Sequence, residues 1–209
     1  KIRPPASVLN ALNTGSQVLA PDDPRLAKVQ NQIYAAPAQS LEAARTMAEA
    51  QGIRVVHLGN DIEGEARDVA QAHAAKAVAL QKEMTAEDPP LLLLSGGELT
   101  VTRRGNGIGG PNAEYCLALA LALDRPANIH AIACDTDGVD GAAEVAGAIV
   151  SPDTLTRARG LGADPVSALG RNDAHGFFAQ LNDQVITGPT LTNVNDFRAI
   201  LVFAPDSAE

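Results

Sequence analysis

The residues best suited to chemistry fall in five short segments. DTDGVDG sets Asp135, Asp137 and Asp140 directly after the apolar run 129–134. Carboxylates gathered at a strand end suit Mg²⁺ coordination or the orientation of a reacting hydroxyl. The spacing is not that of an EF-hand loop, since Ala146 stands where a bidentate glutamate is needed. SGGELT, with Ser95, Gly96, Gly97, Glu98 and Thr100, closes a second apolar run, 91–94, with small residues whose amides can approach an anion. A loop with Gly105, Gly107, Gly109 and Gly110 then leads to Asn112 and Glu114. Asn172-Asp173 and the segment 188–193, with Thr190 and Asn193, add amides and hydroxyls that can bind hydroxyl or phosphate oxygens. Each also has a plainer reading as a tight connection, a turn or a helix cap.

Competing motifs narrow the chemistry. Gly105, Gly107 and Gly110 satisfy the G-x-G-x-x-G spacing of a dinucleotide turn, and Asp135 follows roughly 25 residues later. Against it, the preceding ELTVTRR is half polar where that fold needs a buried parallel strand, and Pro111 directly follows the last glycine. DTDG also mimics the D-x-D-G of haloacid-dehalogenase-type phosphatases. Those enzymes use a downstream lysine or arginine, whereas Lys1, Lys28, Lys76 and Lys82 all lie upstream. Neither G-x-x-x-x-G-K-[ST] nor G-x-S-x-G occurs. His57, His73, His130 and His175 lack metal-ligand spacing. Cys116 and Cys134 are too few for a disulfide framework and read as buried thiols of a reducing, cytoplasmic compartment. A net charge of −9, with no basic cluster beyond Arg103-Arg104, argues against nucleic acid. No run reaches the roughly 20 apolar residues of a membrane span.

Such groups need a scaffold that delivers strand ends to one edge. The 209 residues are 45% hydrophobic but only 3% aromatic, so Ala, Leu, Val and Ile must fill the core. Residues 1–30 read as one short helix and a proline-bearing connector. A strand at 31–36, a helix from Ser40 to 51, a strand at 53–58 and an alanine-rich helix at 63–83 follow, a β-α-β-α order that implies parallel strands. The charged, proline-ended segment 84–90 suggests a domain boundary near residue 88. Beyond it come strands at 91–94 and 98–103, a buried helix at 112–124 and a strand at 129–134. Short helices at 153–159, 165–169 and 173–181 and closing strands at 185–187 and 197–203 complete the chain.

In this order, SGGELTV, GNGIGGPNAEYCLALALAL, DTDGVDGAAEVAGAIV, NDAHGFF and TGPTLTNVNDF resemble the carboxyl-terminal domain of class II glycerate 2-kinases, the MOFRL family, some of whose members carry the older label hydroxypyruvate reductase. The resemblance implies an α/β fold: a MOFRL-type domain with a mixed sheet over 89–209, preceded in 1–88 by the closing β-α-β-α part of a Rossmann-like domain. SLEAA and IEGEARDVA fall in that earlier part. It implies that the family's first half, with its glycine-rich turn and active-site lysine, lies outside this chain, and that Pro111 stands where many relatives carry Arg. It also implies ATP-dependent phosphorylation of D-glycerate at its 2-hydroxyl, with Mg²⁺, in a cleft between domains; a homodimer is compatible with it. Asp135 and Asp137 would hold metal or orient the hydroxyl, with Asp140 a lesser candidate. Ser95, Gly96, Gly97 and Thr100 would form an oxygen-binding turn. Glu98, Asn112 and Glu114 would hold the loop or substrate hydroxyls, and Asn172, Thr190 and Asn193 the opposite wall. Two other readings stand beside it: an NAD(P)H-dependent hydroxypyruvate reductase, and a non-catalytic module that binds a small ligand.

Overall fold

The computed structural model describes residues 3–14, 18–123 and 128–205. By compactness the chain divides into Lys1–Tyr34 and Ala35–Glu209. The first unit carries α1 (Ala6–Asn13), none of whose residues is buried. The expected strand at 31–36 does not form: residues 31–35 are exposed and pair with no strand, so their apolar side chains gain nothing from extension.

The second unit is built on a six-stranded sheet of order β1-β2-β6-β3-β4-β5. Its strands are β1 (Arg54–Glu65), β2 (Leu91–Thr100), β3 (Ile129–Asp135), β4 (Gly147–Val150), β5 (Gln184–Val185) and β6 (Asp196–Val202). β1 and β2 run parallel, joined by α3 (Ala66–Lys82). The other neighbours are antiparallel, so the sheet is mixed. It runs unbroken across residue 88, which falls in the connector between α3 and β2.

Two strands outrun the sequence reading. β1 continues past Gly59-Asn60 by shifting register between His57 and Ile62. β2 absorbs Ser95, Gly96 and Gly97, so SGG is no turn between two strands but the middle of one. The alternation along β2 sends Leu91, Leu93 and Leu99 into the larger core and Leu94, with Leu92, into a smaller one beneath α2 (Pro37–Ala50). α2 begins at Pro37, not at a Ser40 cap, and the Gln39 side chain accepts from the Ala36 amide. On the opposite face lie α3 and α4 (Pro111–Leu123); the expected extension of α4 to residue 124 lies outside the described residues. α4 is apolar on nearly every side because sheet, α3, α5 (Thr154–Gly160), α6 (Pro165–Gly170) and α7 (Ala174–Leu181) surround it.

Candidate active site

Gly97 of β2, Asp196 of β6 and Asp135 of β3 stand in one row across the sheet, paired Gly97 to Asp196 and Asp135 to Asp196. β3 ends at this edge and the pairing of β2 with β6 ends here too, both strands antiparallel to β6 between them. Behind the row, Arg198 is buried completely. Its guanidinium donates to Asp196 Oδ2 at 2.8 Å, to Gly96 O at 2.6 Å and to Ser95 Oγ at 3.3 Å, and it lies 5.8 Å over the Tyr115 ring. A buried arginine needs this many acceptors to offset its lost hydration. Asp196 Oδ1 accepts from Asn112 Nδ2 at 2.7 Å, which ties the start of α4 to the sheet edge.

Asp140 is buried and caps α4: its carboxylate accepts the amides of Asn112 and Ala113 at 2.9 and 2.8 Å. His175 Nε2 sits 3.1 Å from the same carboxylate. With Pro111 lacking an N–H and the Glu114 amide bonded to Gly110 O, the helix start has no donors left for a pyrophosphate. The loop glycines are fixed by packing. A Cβ on Gly105, Gly107 or Gly110 would lie 2.4 Å from Arg171, Asp173 or Asp140, so they serve close packing of the loop on protein. The dinucleotide reading finds no support in this geometry.

Glu114 is buried, with Arg67 Nε donating to it at 2.6 Å and Asn172 Nδ2 at 2.9 Å. Asn172, at a φ of 55°, accepts the amides of Arg104 and Gly105 at 2.6 and 2.9 Å. Glu114 and Asn172 thus clamp the loop between β2 and α4.

At the tip of β3, Asp135 accepts the Asp137 amide at 3.0 Å. Asp137 accepts from Asn193 Nδ2 at 3.0 Å, and its carbonyl accepts the Thr190 amide at 3.1 Å. The Thr190 hydroxyl donates to Thr136 O at 2.5 Å. The segment 188–195 is therefore laid directly on the carboxylate turn. Burial raises the Asp135 pKa to about 6, the Asp137 amide opposes this, and the charges of Asp137 and Asp196 add to it. Glu98 and Thr100 lie apart, at the β1 end: Glu98 is exposed opposite Glu63, and Thr100 Oγ1 donates to Gly64 O at 3.1 Å.

The family model described as "MOFRL family" matches residues 91–196. The chain belongs to the MOFRL family. A D-glycerate 2-kinase of Thermotoga maritima is 35% identical over 159 residues, which cover 74% of this chain and 37% of that protein. An Agrobacterium vitis protein provisionally named hydroxypyruvate reductase is 46% identical over 172 residues, 81% of this chain and 45% of its own length. The crystal structure of a Thermotoga maritima glycerate kinase matches with a TM-score of 0.79 at 30% identity, over 83% of this chain and 42% of that one. The chain thus spans less than half the length of these relatives.

Every candidate from Ser95 to Asn193 falls within the MOFRL match. Sequence reasoning passed over Arg67, Asp196 and Arg198, which bond Glu114, Asn112 and the Ser95-Gly96 stretch in place. One signal was available: Arg198 is the lone charge in FRAILVF, a run otherwise fit only for burial.

Proposed function

We propose that this chain is the carboxyl-terminal part of an ATP-dependent kinase that phosphorylates D-glycerate at its 2-hydroxyl. The observation that carries the reading is the Gly97–Asp196–Asp135 row, with Asp137 held beside it by Asn193. Phosphoryl transfer asks a protein for positioning and charge neutralisation more than for covalent chemistry, and strand ends braced from behind supply the positioning. In this reading Asp135 and Asp137 act at the substrate hydroxyl, and Thr190 and Asn193 form one wall. Ser95, Gly96 and Gly97 form the floor, with Glu98 and Thr100 outward along β2. Asn112, Glu114 and Asn172 keep the loop in place. Glu114 works through Arg67 and Asn172 and is a positioning residue.

Asp135 and Asp137 are also the residues that would hold Mg²⁺. Among the described residues no group of three or more His, Cys, Asp or Glu is arranged for a metal. Two carboxylates still suit this ion, which takes one or two from protein and completes its shell with phosphate oxygens and water. When bound, Mg²⁺ would neutralise phosphate charge.

The reductase reading keeps the support of the names of two Agrobacterium vitis relatives. A coupled assay of the full-length protein separates the two, since a kinase releases ADP with glycerate and a reductase consumes NAD(P)H with hydroxypyruvate. Asp137→Asn is expected to lower glycerate turnover about 100-fold or more. Glu114→Gln is expected to lower it less, through a slack loop. Near-normal rates in both would remove these residues from the reaction. A chain that binds glycerate without turning it over, beside an active full-length protein, marks this part as a binding module. A homodimer and cytoplasmic residence belong to the same proposal, and sedimentation of the full-length protein tests the first. No helix among the described residues is long and apolar enough to cross a membrane.

A further inference from the structure

The loop residues 106–110 wall a cavity of about 510 Å³. Its lining carries two charged side chains, Glu114 and Arg103. They stand in opposite circumstances. Glu114 is buried with its oxygens bonded to Arg67 and Asn172, so its charge is answered within the protein. Arg103 is exposed, donates through Nε to Gly105 O at 3.2 Å, and joins no ion pair among the described residues. The cavity is therefore a locally cationic spot in a chain whose formal net charge is −9.

The backbone repeats the pattern. The amides of Gly105, Gly107 and Ile108 are engaged by Asn172, Arg171 and Asp173. Those of Gly109 and Gly110, which also line the cavity, donate to no protein acceptor among the described residues. A guanidinium fork with uncommitted amides nearby is the chemistry that receives a carboxylate or a phosphate.

We infer that this cavity takes the oxyanion of one reactant, the carboxylate of the hydroxy acid or a phosphate of the nucleotide, with Arg103 as its charged contact. The identity of those two ligands rests on the kinase reading. The test measures binding of D-glycerate and of ATP separately by calorimetry, with ADP release alongside. It uses the full-length protein and its Arg103→Gln, Arg103→Lys and Arg104→Gln variants. Arg103→Gln is expected to weaken one ligand about tenfold or more and leave the other within about twofold. The ligand affected identifies the source of the oxyanion. Arg103→Lys, which keeps charge but loses the fork, recovers part of the affinity. Arg104→Gln, whose residue does not line the cavity, changes neither.

Unchanged affinity for both ligands in Arg103→Gln overturns the inference, as does an equal loss in Arg104→Gln, which would report general charge instead of a site. A wild-type protein that binds neither ligand overturns both the site and the kinase reading. Arg103-dependent binding without ADP release removes the kinase reading and leaves the site standing. Glycerate turnover and affinities untouched by Arg103→Gln do the reverse.

Discussion

Asp135 carries a cost at the position where it is most useful. Its pKa of about 6 stands above the ordinary 3.8, first through burial and then through the charges of Asp137 and Asp196. The folded state therefore holds this proton more tightly than the unfolded chain does. Between about pH 4 and pH 6 the folded form binds the greater number of protons, so this group's contribution to stability falls as pH rises through that window. Asp135→Asn removes the titration. Melting temperatures across pH are expected to show the variant above the wild type beyond pH 6 and level with it below about pH 4. A variant that melts lower at neutral pH would mean that the carboxylate is stabilised in place. Loss of activity together with gain of stability is what a residue kept for chemistry gives.

The strands explain both what could be read from the sequence and what could not. β3, β6 and α4 were legible because each is a mainly apolar run with clear ends. β2 was misread as two strands because Gly96-Gly97 has the look of a turn. In place, Gly97 has a φ of +112°, and a Cβ there would lie 2.3 Å from the Ile62 backbone. The glycine lets β1 pass close at its register shift, a cause lying 35 residues away in sequence (97 − 62) and invisible locally. Gly97→Ala is thus expected to break the β1–β2 pairing and cost about 3 kcal/mol or more, read as a fall in denaturant midpoint. A loss under about 1 kcal/mol would show that β1 can step aside. β4 escaped notice because four residues, two of them Gly147 and Ala148, give no periodicity to read. The residues at 31–36 had strand composition but no partner, and composition alone does not extend a chain.

Across the whole molecule, a polar chain runs through a largely apolar interior. It passes from His73 through Tyr115 and Arg198 to Asp196, Asn112, Asp140 and His175, and so joins α3, α4, the sheet edge and α7. With few aromatic rings, the core gains shape from small side chains, and this network adds direction. Arg198→Met leaves Asp196 buried without its cation and is expected to cost about 3–5 kcal/mol in chemical denaturation. The Arg198→Met, Asp196→Asn double variant is expected to recover most of that loss, because the stranded charge goes too. Additive losses would show that each residue is held by separate neighbours.

The missing side chains of the glycine loop have a consequence for inheritance. The space a Cβ would take at Gly105, Gly107 and Gly109 is already filled by the backbone or side chains of Arg171, Asn172 and Asp173. Neither stretch can drift alone: a recombinant that takes the loop from one relative and the 171–173 corner from another brings together two halves shaped for different partners. Crossovers that carry both stretches from one parent keep the fit, so the two, some 65 residues apart along the chain, are transmitted as a single block.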